Sequence, residues 1–187
     1  MNARVWKTLC VLLVAMLPLA ACVSVRGAWS LQAIHQGIHQ DGRVQQVGEL
    51  PCFAVADSAE TRQASPKLAL LDVYQRIGGR ADSIWALGLS GNPPVSLTPD
   101  ACIVYGDTRL GRELTGPAPT LRSGVAYSFW FNSDIPARGG DGWINRRYEG
   151  YFCLTRDAAG KTQVHDVRWD KKAEKRRWDV CGIEDGP

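Results

Sequence analysis

Residues 121–129 read Leu121-Arg122-Ser123-Gly124-Val125-Ala126-Tyr127-Ser128-Phe129, and this stretch decides the fold. A glycine lies where a turn is expected, and from Tyr127 onward aromatic side chains alternate with other residues. Alternation of this kind places successive side chains on opposite faces and is typical of a half-buried β-strand. The stretch therefore predicts a turn followed by a strand that begins near Val125.

Similar short runs extend in both directions along the chain. They are rich in Val, Ile, Leu and aromatic residues, and clusters of Gly, Pro, Asn and Asp separate them, which is the pattern of strands joined by turns. We predict strands at residues 51–56, 67–75, 83–89, 101–105, 125–132, 148–156, 162–169 and 177–181. Helix-length periodicity is missing and no internal repeat is evident, so an all-β sandwich is the expected architecture.

Tyr127 gives a more specific signal. Leu121 and Gly124 precede it as in the tyrosine corner of immunoglobulin-like and fibronectin type III sandwiches, in which the phenol hydroxyl bonds to backbone a few residues upstream. Trp85 would then be a large core residue between the sheets. An ordinary strand tyrosine is the alternative. We predict an immunoglobulin/fibronectin type III-like β-sandwich with a hairpin at residues 152–169.

The N-terminus predicts an export signal over residues 1–21. Arg4 and Lys7 form a basic start, and residues 9–19 are almost wholly apolar. This run has about half of the ~20 residues that a membrane-spanning helix needs, so we interpret it as a removable signal peptide. Residues 22–49 are then a tether or first edge segment, and residues 50–187 are the β-sandwich domain.

Leu19-Ala20-Ala21-Cys22 resembles the bacterial lipobox, in which the cysteine thiol is diacylated and the signal is removed. Two or three acyl chains give durable anchoring. The resemblance implies a lipoprotein of the cell envelope that faces the periplasm. Because Val23 and not Asp follows Cys22, the outer membrane is the expected location in a host with two membranes. An ordinary secretory signal with a coincidental cysteine is the alternative.

Four further cysteines predict two disulfides. An exported chain that loses Cys10 with its signal and carries lipid on Cys22 keeps Cys52, Cys102, Cys153 and Cys181, an even number in an oxidising compartment. Four cysteines allow three pairings, and the sequence does not decide among them. We favour Cys153 with Cys181 and Cys52 with Cys102, because each lies in or beside a predicted strand.

The sequence offers little for catalysis or cofactors. His35 and His39 share an i, i+4 spacing, but Gly37 argues against a helix there, and no nearby ligand completes a metal site. A G-x-S-x-G elbow and glycine-rich phosphate loops are absent from the sequence. Removal of the signal lowers the formal charge from +3 to +1, which gives no reason to expect nucleic acid. We expect a non-enzyme without metal or cofactor.

Binding features are concentrated in the C-terminal half. Residues 132–147 are long for a hairpin loop, and such loops on a rigid scaffold are common binding sites. The candidate partner-binding residues are Asp134, Arg138, Trp143, Arg146 and Arg147. Most of the aromatic residues nearby are expected to be core. A basic run at residues 171–177 is either a contact for an acidic partner or lipid head groups, or a solvated turn.

Taken whole, the chain resembles a family of small bacterial lipoproteins described as type VI secretion immunity proteins of the periplasm. The segments that carry the resemblance are 51–53, 83–85, 102–106, Leu121 with Gly124 and Tyr127, 151–154, and Trp178 before Cys181. It covers residues 50–181 and implies a protein partner, a toxin that the chain neutralises. An envelope assembly lipoprotein with an immunoglobulin-like docking domain is the alternative, and a peptidoglycan hydrolase is a third.

Overall fold

Strands account for 53% of the residues described by the computed structural model, which are residues 39–89, 91, 93–137, 141–184 and 186. The predicted signal peptide 1–21, the lipidation site Cys22 and the first part of the 22–49 tether lie outside these residues. In the described part of the chain the strands are β1 (His39–Val47), β2 (Leu50–Val55), β3 (Lys67–Ile77), β4 (Arg80–Gly88), β5 (Val95–Ser96), β6 (Ile103–Val104), β7 (Arg112–Glu113), β8 (Ala126–Pro136), β9 (Trp143–Arg156), β10 (Thr162–Asp166), β11 (Trp169–Asp170) and β12 (Lys175–Arg176). The all-β prediction is confirmed.

One curled sheet, shaped like a half-barrel, contains ten of these strands. Its order is β6-β2-β1-β9-β8-β3-β4-β7, with β10 beside β9 and β5 beside β3, while β11 and β12 form a separate hairpin. Its centre is the antiparallel hairpin of β8 and β9, whose eleven residue pairs run from Ala126 opposite Cys153 to Pro136 opposite Trp143. Residues 39–47 of the predicted tether form β1, which pairs parallel with β9 and antiparallel with β2.

The concave face of the sheet is filled by aromatic side chains. Phe53 of β2 lies 4.7 Å from Phe129 and 5.5 Å from Phe152, measured between ring centroids. Trp85 is fully buried, as the sequence predicts for a core residue. This packing explains the alternation in β8, because Tyr127, Phe129 and Phe131 all point into the core.

Two glycines allow β1 and β9 to approach the Phe129 ring. A Cβ on Gly42 would lie 2.6 Å from the Phe129 ring, and a Cβ on Gly150 would lie 2.3 Å from it. At distances this short the Phe129 ring would have to move to admit a side chain at either position. The two glycines therefore let β1 and β9 pack directly against this ring.

Both disulfides join the cysteines that the sequence favours. Cys52 bonds to Cys102, which fixes β2 to the chain just before β6, and Cys153 bonds to Cys181, which fixes the C-terminal segment to β9. All four cysteines except the half-exposed Cys102 are buried.

The predicted strand at residues 177–181 is wrong, because this segment forms a 3₁₀ helix at Trp178–Cys181. Trp178 and Cys181 are three residues apart, and a 3₁₀ helix with three residues per turn places such residues on one side. Both side chains are buried against β9, with Trp178 edge-on to Tyr151 at 6.2 Å. A strand would have directed them to opposite sides.

Tyr127 makes the hydrogen bond that the sequence predicts. Its buried hydroxyl accepts a hydrogen bond of 2.9 Å from the backbone N–H of Arg122, five residues upstream. Gly124 between them adopts a φ of +71°, a conformation that glycine tolerates without strain. The local corner is therefore present in this curled sheet.

Candidate partner-binding surface

The predicted loop at residues 132–147 is mostly strand. Its residues continue β8 and β9 in register, from Asn132 opposite Arg147 to Pro136 opposite Trp143. The loop prediction was wrong because these residues are mostly polar, although they alternate between buried and exposed positions as in a strand. Ser133 and Ile135 occupy the buried positions. The Ser133 hydroxyl donates a hydrogen bond of 3.1 Å to the carbonyl of Arg146, so its burial leaves no polar group unsatisfied.

The strand geometry separates the predicted binding residues into two groups. Asp134, Trp143 and Arg147 lie on the convex side of β3, β8 and β9, which we call the outer face. Arg146 points to the opposite side, because successive residues in a strand alternate. Arg138 lies outside the described residues.

Trp143 is the most exposed aromatic residue of this hairpin. Its side chain is 54% exposed, and the ammonium of Lys67 lies 4.0 Å from the ring centroid. Asp134 is the residue opposite Lys67 in the register of β3 and β8. An exposed tryptophan near the end of a long hairpin, flanked by both charges, is a side chain that a protein partner can bury.

Arg147 lies flat over a second tryptophan of the outer face. Its guanidinium carbon is 4.2 Å from the centroid of the Trp130 ring, and its buried Nε has no hydrogen-bond partner in the part of the chain that the structure describes. Trp130 itself is half-buried. Among the other aromatic residues of the C-terminal half, Phe131 and Trp178 belong to the core, and Trp169 is 56% exposed.

Arg146 braces the hairpin from the concave side. It donates hydrogen bonds of 3.1 Å to Glu60 through Nε and Nη2, and the Tyr148 hydroxyl donates to the same carboxylate at 3.3 Å. Glu60 belongs to the short helix α1 (Ala59–Ala64), which Ser58 and Thr61 begin with a reciprocal capping box. Burial, with the nearby Glu60 charge, raises the pKa of Tyr148. Arg146 is therefore a support of the hairpin and not part of its outer face.

Tyr151 lies at the other end of the outer face, where two arginines lie over its ring. The sequence did not predict this group of residues. The Arg176 guanidinium carbon lies 3.4 Å from the Tyr151 ring centroid, and that of Arg76 lies 5.5 Å away. The Tyr151 hydroxyl donates a hydrogen bond of 2.9 Å to Glu149. The sequence signal was present in the alternation of β9, since residues 143, 147, 149 and 151 share one face.

A groove of about 550 Å³ opens beside Tyr151, where β1 and β10 leave the edge of β9. Its walls carry Arg43 from β1, the exposed Trp169 from β11, and Lys171 and Arg176 from the β11–β12 hairpin. A cavity of this size is within the range of ligand-binding clefts. The basic run at residues 171–177 thus forms one wall of a groove.

Several kinds of chemistry find no support among the described residues. No group of three or more His, Cys, Asp or Glu side chains there could hold a metal ion. His165 shares a hydrogen bond of 2.8 Å with Thr155 and lies in a half-buried strand position. Neither helix described in this chain has the length and hydropathy of a membrane span.

The fold and site define a disulfide-bonded all-β domain with an outer face of paired aromatic and basic side chains. Comparison with known proteins finds no matching family model, no similar curated protein and no similar solved structure.

Proposed function

We propose that this protein is a lipid-anchored binding protein of the cell envelope that neutralises a toxin delivered by type VI secretion. It acts as a non-enzyme, without cofactor or nucleic acid, and the neutralised toxin is its protein partner. Cys22, freed by removal of residues 1–21, carries the acyl chains, and the domain faces the periplasm from the outer membrane of a host with two membranes.

The observation that carries the proposal is the exposed Trp143 near the end of the braced β8–β9 hairpin. Tryptophan is the residue type most often found at the energetic centre of protein interfaces. The Glu60–Arg146 contact on the concave side and eleven residue pairs between the strands hold this side chain on a preorganised element. Asp134, Lys67 and Arg147 supply polar contacts around it.

The anchoring part of the proposal has its own support in the sequence and the disulfides. The lipobox-like segment ends at Cys22, and the four remaining cysteines form two bridges, which is the state expected in an oxidising envelope compartment. Intact mass spectrometry of the membrane-extracted protein should find an N-terminal acylated Cys22. A Cys22→Ser variant should lack the lipid mass and leave the membrane fraction, and an unmodified chain in the cytosol would refute the anchoring.

Neutralisation is tested by co-purification with the products of the genes that flank this one. The expected result is a stoichiometric complex with one of them and protection of cells that export that toxin. A protein that captures none of them and protects no cells would contradict the function.

The alternative function is an envelope assembly lipoprotein with an immunoglobulin-like docking domain. The hydrogen bond of Tyr127 to Arg122 favours it, because such a corner is a feature of immunoglobulin-like and fibronectin type III sandwiches. Deletion of the gene distinguishes the two, since the alternative expects an envelope assembly defect in the absence of any toxin.

A further inference from the structure

We infer that the groove beside Tyr151 binds an acidic segment of a protein partner, with carboxylate side chains of that segment on Arg43, Lys171 and Arg176. The inference rests on the proposed function only in taking the partner to be a protein. It adds a second contact region to the hairpin and states its chemistry.

The balance of free charge in the groove is positive. Four acids line it. Asp57 is paired with Arg62 at 2.7 Å and Asp166 with Arg168 at 2.8 Å, whereas Glu149 accepts from the neutral Tyr151 hydroxyl at 2.9 Å and keeps its charge, so two free carboxylates face three free cations. Arg62, chiefly through its hydrogen bond, holds the pKa of Asp57 below its usual range, so that carboxylate stays charged and occupied. Asp41 is the one lining acid without a side-chain partner among the described residues.

Three basic side chains of the groove have no such partner. Within the described residues Arg43, Lys171 and Arg176 form no ion pair and no hydrogen bond, although the charge of Arg43 also contributes to the lowered pKa of Asp57. Arg176 lies over the Tyr151 ring at 3.4 Å and 6.0 Å from the Trp169 ring, so the rings hold its plane while its N–H groups remain available. A guanidinium held in this way is suited to a carboxylate, which it can bind with two parallel hydrogen bonds.

The positions of these cations favour a chain over a single small anion. They come from β1, from the β11–β12 turn and from β12, so they are distributed over separate walls of the groove. Trp169 adds an exposed apolar surface between them. A peptide that alternates acidic and apolar residues matches this arrangement, because one chain in the groove can reach cations on separate walls and cover Trp169 between them.

The test measures binding of a fluorescein-labelled peptide in which Glu alternates with Ala, by fluorescence anisotropy with the purified full-length chain. The matched peptide with Lys in place of Glu is the ligand control. We expect the Glu peptide to bind and the Lys peptide not to bind. Arg176→Gln should weaken binding roughly tenfold, since a charge-assisted hydrogen bond is lost.

Two further variants keep the result interpretable. Lys171→Gln changes an exposed side chain that forms no hydrogen bond or ion pair with any described residue, so it should weaken binding in a folded protein. Arg109→Gln removes the same charge from an exposed residue that is paired with Asp107 and lies outside the groove, and it should leave binding unchanged. Any of three results would overturn the inference. The first is equal weakening of binding by Arg109→Gln, and the second is absence of binding of the Glu peptide. The third is that Lys171 and Arg176 bind phosphatidylglycerol vesicles instead of the Glu peptide.

Protection of toxin-exporting cells separates this inference from the proposed function. A chain that protects cells but does not bind the Glu peptide would refute the acidic-segment inference alone. A chain that binds the peptide through these residues but protects no cells would refute the toxin-neutralising function alone.

Discussion

Phe129 shows how single residues set the shape of this sheet. Its ring occupies the space in which Gly42 and Gly150 would carry side chains, so β1 and β9 can lie this close to it only because both positions lack a Cβ. Neither glycine has a positive φ, and the requirement is therefore for space and not for backbone freedom.

A methyl group at residue 150 tests that contact. Gly150→Ala should lower the free energy of unfolding by about 1 to 3 kcal/mol, because the Phe129 ring must move from its packed position. Gly88→Ala is the matched control, since its Cβ would meet the nearest atom, in the flexible Leu114 side chain, at 3.4 Å. Urea denaturation measures both, and a Gly150→Ala protein as stable as the unchanged protein would contradict this packing.

Buried tyrosines give the protein a predictable response to alkali. Burial raises the pKa of Tyr105 and Tyr148 above the ordinary value of 10.0, and partial burial raises that of Tyr151. The unfolded chain loses these protons first as the pH rises, so stability is complete below about pH 10 and falls above it. Absorbance at the phenolate band should show ionisation delayed relative to free tyrosine and coincident with unfolding. Ionisation of all tyrosines near the ordinary value in a folded protein would be evidence against their burial.

At the scale of elements, helix α1 and the β8–β9 hairpin support each other through one ion pair. Glu60 and Arg146 are largely shielded, with side chains 28% and 14% exposed, so the loss of one charge leaves the other poorly solvated. This contact holds the strand that carries Trp143 from the side opposite to its exposed ring.

Glu60→Gln should therefore destabilise the protein by roughly 1 to 3 kcal/mol and loosen the hairpin. Hydrogen exchange of the backbone amides in β9 near Arg146 should become faster, which reports on this hairpin directly. Asp100→Asn breaks a pair with Arg62 in which both side chains are exposed, 76% and 52%, and it should change stability little. Equal effects of the two substitutions would mean that Glu60 does not brace β9.

The C-terminal element depends on its disulfide. The bridge joins Cys153 to Cys181, which are 28 positions apart in the sequence. From the loss of chain entropy in the unfolded state, its removal should lower the free energy of unfolding by roughly 3 to 4 kcal/mol. In a Cys153→Ala/Cys181→Ala variant the 3₁₀ helix should also detach, which exposes Trp178 and shifts its fluorescence to the red. Unchanged fluorescence and stability would show that the 3₁₀ helix does not need the bridge.

For the whole molecule, the sequence predicted the strand-rich class and the corner at Tyr127, because each depends on local patterns, and it favoured the observed disulfide pairing without deciding among the three possibilities. It did not predict the curled sheet, since the packing around the Phe129 ring brings together residues 42, 129 and 150, which no local pattern links. The hairpin at residues 132–147 was missed for a related reason. Ser133 is buried through a hydrogen bond to a strand partner, so its polarity was mistaken for exposure.

The candidate site was predicted in part. Asp134, Trp143 and Arg147 do share one face, but Arg146 lies on the other, because the strand alternation was not recognised there. The residues around Tyr151 were missed, since Arg76 and Arg176 come from distant parts of the chain and meet only in the folded sheet.

The decisive measurement is the survival of cells that export the toxin encoded by a flanking gene. It compares cells that carry the unchanged protein with cells that carry the Trp143→Ala variant. Trp143→Ala removes only an exposed contact with Lys67, so the variant should fold normally. It should nevertheless protect cells poorly, because the free energy of binding to the toxin weakens by about 2 kcal/mol or more. Leu110→Ala removes another exposed apolar side chain, beside β7 at the far side of the sheet, and should protect fully. Full protection by Trp143→Ala, or no protection by the unchanged protein against any flanking-gene product, would contradict the account.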